Sequence, residues 1–570
     1  MHRINEEAMC SAYHSFILCV MKTVFLLITL LIPYTGWAQT EPPVSIVFTS
    51  SDLPIISIDT HQQAILDDPK ITAAMGVIYN GPGARNFITD KPTAYKGKIG
   101  IALRGSSSQW YSPKKSYSLT TQDSTGANLN VGLLGMPADN DWVLSAVYSD
   151  KTMIRNALTY GIGRDAGSYA SRTHYCEVVL DGVYQGVYTF MEKIKQGSNR
   201  VNISKLKSTD NTGDAVTGGY ILKLDKTTGS PSASWLSKYQ NPADTTENNI
   251  LFQVDYPKLA DITAPQRTYI EAYADSFETA LSTKPFADAR KGYRHYINTP
   301  SFVDYFLLTE LTRNIDGYCF STYFYKDRAS KGGRLTMGPL WDYDLAWGNA
   351  GFCAGDSAAG WVYNNAHCSG HKIPFWWRQL LADSTFSQEL RTRWTSLRTT
   401  VLSEDSLDQR IDANAAQLQE SQARNYQAWP VLGTYVWADA NAFATYQEEV
   451  DYVKRWTHER LLWMDGNLPR PAATALSSRA AVAFSDATAF PVPSATSLTV
   501  DYSLPQASAV TVVLLDVLGQ PVYQQALTTQ GIGNHEVAIA IFADLSPGVY
   551  SLRLTSNEGS RTLRVVRSAL

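Results

Sequence analysis

Three aspartates carry the strongest chemical suggestion in the chain: Asp316 in "TRNIDGY", and Asp342 and Asp344 in "GPLWDYDLAWGN". Carboxylates rarely stand among so many large apolar side chains unless something holds their charge. In phosphoryl transfer the protein chiefly positions groups and manages charge. One aspartate accepts or orients the attacking hydroxyl, and another, a short hairpin later, holds Mg²⁺ on the phosphates. Asp342 follows Asp316 by 26 residues, with the strand-like runs "STYFYKD" and "RLTMGPLWDYD" between them, and so keeps that order. Hard oxygen ligands without clustered histidine favour Mg²⁺ or Mn²⁺ over zinc. Taken singly, Asp316 reads as an Asp-Gly turn and "WDYD" as an acidic strand end. The combination points to a site.

A basic counterpart lies upstream, in "RGSSSQWYSPKKSYSL". Arg104 ends a strand and opens a Gly/Ser loop, after which a second strand presents Lys115, Tyr117 and Leu119 on one face and Lys114 and Ser116 on the other. A lysine on such a strand is suited to phosphate oxygens, and the alternative is a solvated pair of edge lysines. Glu192, closing the apolar strand "VYTFMEKI", needs a partner that a neighbouring lysine would supply, or else it is an exposed strand end. Neither a G-x-G-x-x-G nor a Walker A sequence is present.

These residues must be placed by a mixed α and β scaffold. Residues 40–135 read as short strands and turns, and "DKTMIRNALTYGIGRDA" as an amphipathic helix over 150–166 with Asp150 as N-cap. "CEVVLDGVYQGVYTFMEKI" alternates on both sides of Asp181-Gly182, the signature of a type I′ hairpin. A strand "GGYILKLD" follows, then helices over 263–315 and 374–465, including a long Ala/Gln-rich helix over 404–428. A Pro/Ala/Ser-rich linker at 466–482 precedes 88 residues of short β-runs that read as a small Ig-like β-sandwich.

The bulk numbers narrow the class. A chain of 570 residues is too long for one core. A net charge of -4 with 18% charged residues argues against a nucleic-acid partner held by bulk electrostatics. From Met21, "MKTVFLLITLLIPYTGWAQT" reads as an export signal cleaved near Ala38-Gln39, with Met21 as the expected initiator, and no other stretch is apolar enough for a transmembrane segment. Cys10 and Cys19 fall in the removed part, which leaves Cys176, Cys319, Cys353 and Cys368. Cys353 and Cys368 are expected to pair in an oxidising compartment. The rival reading makes them zinc ligands with His367 and His371.

Taken together, "LRGSSS", "KKSYSL", "DNDWVLSAVYSDKTMIRN", "LDGVYQGVYTFMEKI", "GGYILKLD", "FVDYFLLTELTRNIDGY", "STYFYKD" and "GPLWDYDLAWGN" resemble the CotH kinase family (spore coat protein H-like) over roughly 95–355, in family order. The resemblance implies an α+β, divergent protein-kinase-like fold with a helical C-terminal extension, acting as a secreted kinase that transfers the ATP γ-phosphate to Ser/Thr of extracytoplasmic proteins. It implies Asp316 as the catalytic aspartate and Asp342 as the metal ligand, supported by Asp344 and Asn314. Lys115 or Lys114 would contact phosphates beside Arg104, with Glu192 as ion-pair partner. The cofactors implied are ATP with Mg²⁺ or Mn²⁺. Ser321 stands where a protein kinase has the Asn for a second metal, which keeps a non-catalytic, pseudokinase-like or glycan-binding surface protein as the alternative.

The tail, "YSLPQASAVTVVLLDVLGQPV" through "LSPGVYSLRL" to the final basic strand, is similar to the type A C-terminal sorting domain of type IX secretion. That implies the type IX machinery as partner and an outer-membrane-surface or secreted destination. The expected organisation is a signal region 1–38, a β-rich segment 39–94, a kinase-like domain 95–465, a linker 466–482 and a sorting sandwich 483–570.

Overall fold

The computed structural model describes residues 42–569 except 229–231, 240–249, 289, 365–367, 369, 470–483, 485, 518, 540–541 and 558. The export signal, His367 and most of the linker therefore lie outside the described residues. The chain divides into two compact units, 1–472 and 473–570.

Seven strands close a barrel in the first unit, in the order Thr173–Leu180, Val183–Glu192, Asp141–Ser145, Ser116–Gln122, Tyr95–Arg104, Ile71–Ile78 and Ile55–Asp59. All pairs are antiparallel except the closing one, in which Ile55–Asp59 runs parallel to Thr173–Leu180. Alternate residues fill the interior: Ile56 and Ile58, Ile99 and Ile101, Tyr117 and Leu119, Trp142 and Leu144. This period of two is what a half-buried strand needs. The boundary expected at 94–95 is thus not structural, because strands on either side of it belong to one barrel. The hairpin at Asp181-Gly182 forms as expected, with φ of 49° and 84° at the two turn residues, as a type I′ turn requires.

The helix expected from Asp150 begins later, as Arg155–Asp165. Asp150 is fully buried and accepts from Arg155 N (2.9 Å) and Arg155 Nη1 (2.5 Å), and its other partner, Thr152, fixes a turn ahead of the helix. Burying this carboxylate is tolerable because a guanidinium and backbone N–H groups surround it. The long helix expected over 404–428 is two, Glu404–Gln417 and Ser421–Ala428.

A second antiparallel sheet runs Ser234–Leu236, Leu251–Tyr256, Tyr220–Leu224, Thr322–Lys326 and Thr336–Met337. Behind it lies the helix Thr299–Thr312, buried along most of its length and ended by Arg313 in the left-handed conformation (φ 49°). Its Glu310 is wholly buried and accepts from Tyr318 Oη (3.0 Å), Val362 N and Tyr363 N (2.9 Å each) and from Arg460 of the helix Tyr446–Asn467 (Nη2, 3.4 Å). Glu310 therefore ties the loop after its own helix to the C-terminal helical layer. Burial pushes its carboxyl up and Arg460 opposes that shift. Arg460→Leu is expected to lower unfolding free energy by about 3 kcal/mol, because a buried carboxylate would lose its cation. Urea denaturation followed by tryptophan fluorescence checks this.

The second unit has two antiparallel sheets, Asp486–Phe490, Thr499–Leu504 and Gly533–Ala538 in one and Pro521–Gln530, Ser508–Leu515, Gly548–Ser556 and Gly559–Arg567 in the other. Val500, Tyr502, Val512, Leu514, Leu552 and Leu554 form one shared core between them. Among the described residues no helix is long and apolar enough to cross a membrane.

Candidate active site

Asp342 and Asp344 follow the short strand Thr336–Met337 in an irregular segment rather than ending a strand. The segment is fastened from behind by residues around the Arg155–Asp165 helix. Tyr160 Oη accepts from Asp342 N (3.0 Å), Asn156 Oδ1 from Tyr343 N (2.7 Å) and Thr159 Oγ1 from Trp347 Nε1 (2.8 Å). Ser149 Oγ donates to Asp344 Oδ2 (2.9 Å), and Tyr160 stacks on Trp341 at 6.1 Å. The "SDKTMIRNALTY" stretch is thus the platform on which the two carboxylates stand.

The catalytic-loop candidate meets them through Asn314. Its Nδ2 donates to Asp342 O (3.1 Å), and its Oδ1 accepts from Asp316 N (3.2 Å). One amide side chain thereby sets the spacing of two acidic loops. Ser321 closes the group: its hydroxyl donates to Asp342 Oδ2 (3.1 Å) and its N–H points to Asp225 Oδ1 (3.4 Å). Arg313, Ser321, Asp342 and Trp347 all hold φ between 48° and 66°. Such backbone costs about 1–2 kcal/mol per residue and persists only where the surroundings over-determine it.

The electrostatics are those of crowded acids. Asp342 keeps an open face to solvent, but the protein packed around it strips much of its hydration. That desolvation, with Asp316 and Asp225 nearby, pushes its carboxyl up, while Asp344 and Arg104 hold it back. Asp344 is pushed further up, first by burial and then by Asp342. Arg104 stacks its guanidinium on Trp341 (5.3 Å) at the barrel edge. Lys226 donates to Ser107 Oγ (2.7 Å) and lies over Phe320 (5.0 Å), so the Gly/Ser loop reaches across to the second sheet.

A divalent cation fits the acidic pair. The donors are hard oxygens, one side is open, and burial with the neighbouring Asp342 pushes the Asp344 carboxyl up, a crowding that a cation would relieve. The pair is not a complete cage. Among the described residues the one group of three metal-capable side chains is Cys353, Cys368 and His371, and its cysteines form a disulfide. The expected pairing is therefore formed, and zinc at these thiols is not the arrangement found. Mg²⁺ characteristically takes one or two carboxylates and completes its shell with phosphate oxygens and water.

The lysine–glutamate pair expected from the sequence is not formed. Lys114 is enclosed, donating to Val187 O and Asn425 Oδ1 (2.9 Å) over the Tyr188 ring, and burial pulls its ammonium down to about 7. Lys115 donates to Gln109 O and Ser112 O (2.8 Å each) and so pins the Gly/Ser loop on itself. Both lysines precede the strand Ser116–Gln122 rather than lying on it. Glu192 is buried against Arg200 and Arg172 (Nη1, 2.8 Å), its needs met by arginines. Of the residues expected at the site, Asp316, Asp342, Asp344, Asn314 and Arg104 come together, while Lys114, Lys115 and Glu192 bind elsewhere.

Sequence reasoning missed Ser149, Tyr160, Asp225, Lys226 and the role of His371, while it places Asn156 in a structural network joining helix and sheet. Asn156 and Asp225 stand within segments singled out above, "DKTMIRN" and "GGYILKLD". His371 was weighed only as a zinc ligand, yet its Nε2 lies 2.8 Å from Asp316 Oδ1.

Residues 101–464 match the family described as CotH kinase protein, and residues 488–567 match the secretion system C-terminal sorting domain. No curated protein matches the chain.

Proposed function

Because the chain belongs to the CotH kinase protein family and carries a sorting domain for export to the cell surface or beyond, we propose that it is a protein kinase. In this reading it transfers the γ-phosphate of ATP to Ser/Thr hydroxyls of extracytoplasmic proteins, on a divergent protein-kinase-like fold. Bound Mg²⁺·ATP supplies the phosphoryl group and the charge neutralisation that transfer needs.

The observation that carries the reading is the state of Asp316. Its backbone N–H is held by Asn314 and its Oδ1 by His371, while among the described residues no partner meets its Oδ2. One carboxylate oxygen is anchored and the other is open, beside the Asp342–Asp344 pair. Asp316 Oδ2 orients the acceptor hydroxyl and takes its proton as the new O–P bond forms and the bond to the leaving diphosphate breaks. Asp342 and Asp344 hold the metal. Ser321 Oγ, already on Asp342, fixes that carboxylate's orientation in the place where a protein kinase has its second-metal Asn. Arg104 and Lys226, rather than Lys114 or Lys115, are the cations placed to meet phosphate.

A non-catalytic surface-binding role is the second reading. It is favoured by the missing lysine–glutamate pair and by two exposed aromatic rings, Tyr111 stacked on Trp437 at 4.4 Å, with Trp437 stacked in turn on the half-buried Phe352 at 5.8 Å. The two readings divide on phosphate transfer. The kinase incorporates phosphate from Mg²⁺·ATP into serine- or threonine-containing protein, and the binding protein incorporates none.

A further inference from the structure

The geometry points to His371 as the positioning residue of Asp316, held in place by the Cys353–Cys368 disulfide. This rests on the kinase reading of Asp316 and deepens it.

The side chains of His371 and Asp316 are mostly buried, 10% and 19% exposed, with Nε2 to Oδ1 at 2.8 Å. An ionised carboxylate only accepts, so Nε2 carries the hydrogen of this bond. The ring is flanked by Phe320 (5.3 Å, edge-on) and Phe352 (6.2 Å). These rings limit how the imidazole can turn, and in turn where Asp316 can place its second oxygen.

His371 belongs to a segment without helix or strand that would otherwise be poorly placed, and a closed chain of contacts places it. Arg313, the residue that caps the Thr299–Thr312 helix and lies three before Asp316, donates to Ala354 O (2.8 Å) and Gly360 O (2.6 Å). The 353–360 segment is thereby fastened to the root of the catalytic loop. The disulfide then joins Cys353 to Cys368, with Cα atoms 4.8 Å apart. His371 N donates to Cys368 O (3.2 Å), and the imidazole returns to Asp316. From Arg313 through the disulfide to Asp316, each link is covalent or hydrogen-bonded. A loop closed in this way loses much of its freedom before substrate arrives, which is the condition for a base held within a fraction of an ångström.

His371 touches neither acidic metal ligand, so its loss should be felt in the transfer step and not in nucleotide binding. The test is steady-state kinetics on the full mature chain with Mg²⁺·ATP, comparing wild type, His371→Ala, His371→Gln and Cys353→Ala/Cys368→Ala. Expected are a kcat about 10–100-fold lower in His371→Ala with KM for ATP unchanged, and partial rescue in His371→Gln, whose Nε2 donor reaches the same oxygen. The cysteine pair is expected to show a similar loss, and its combination with His371→Ala to be less than additive. Unchanged kcat in His371→Ala, or fully additive losses, would overturn the inference. Amide hydrogen exchange over 316–320 gives a readout that needs no activity. Faster exchange there in both variants supports the brace, and unchanged exchange in both overturns it. A wild type with no transfer at all refutes the kinase reading instead and leaves the exchange result standing.

Discussion

Asp316→Asn is expected to lower phosphate transfer by about 10²–10⁴-fold while nucleotide and metal binding stay near wild type. The substitution is nearly isosteric. The asparagine Oδ1 still accepts from His371, and its backbone N–H still meets Asn314. What is lost is the open oxygen, replaced by an amide that donates instead of accepting a proton. The variant therefore separates proton acceptance from loop architecture, which Asp316→Ala would not do. Initial rates of phosphate incorporation, with ATP binding measured on the same preparation, read both quantities. A variant that transfers at the wild-type rate would remove Asp316 from the chemistry.

Asp342→Asn is expected to abolish Mg²⁺-dependent nucleotide binding and, unusually for a site mutation, to stabilise the metal-free protein at neutral pH. Burial and the neighbouring acids raise the Asp342 carboxyl in the folded state, so the folded chain binds more protons here than the unfolded one. By linkage, stability contributed by this group is present at low pH and is lost as pH rises from the ordinary carboxylate value through the raised one. Wild type should thus fall behind Asp342→Asn progressively from about pH 4 upward. Mg²⁺·nucleotide reverses the order. A ligand at 100 times its Kd stabilises the fold it binds by about 2.7 kcal/mol, and only wild type should gain that. Thermal melts across pH, with and without Mg²⁺·ATP, measure both effects. Asp344, tied to Ser149 and deeper in the protein, should show the same signs.

The parts of the site legible in the sequence are those set by neighbours in the chain. The Asp181-Gly182 turn, the helix ending before Asp316, and the short hairpin carrying Asp342 away from it all follow from local turn chemistry and apolar period. The family resemblance, itself a sum of short segments, brought Asp316, Asp342, Asp344, Asn314 and Arg104 to one place. What failed was the pairing of charges across distance. Lys114 finds Asn425, 311 residues away, and no pattern in either stretch announces it. Glu192 did need a cation, but Arg200, eight residues on, reached it before any lysine of the barrel. Barrel closure was hidden because it depends on a parallel pairing between Ile55–Asp59 and Thr173–Leu180, a contact without a local signature. His371 enters the sequence reading only through the zinc alternative to the expected disulfide, and no local pattern announces the aspartate 55 residues upstream that its imidazole meets.

The central claim is a metal-dependent nucleotide site at Asp342 and Asp344 beside Asp316. Calorimetric titration of ATP into the mature protein, with Mg²⁺, with Mn²⁺ and with chelator, tests it most directly. The account predicts saturable binding that requires the divalent ion and vanishes in Asp342→Asn. Absence of nucleotide binding under every metal condition would contradict it and leave the aromatic-lined surface as a binding face alone.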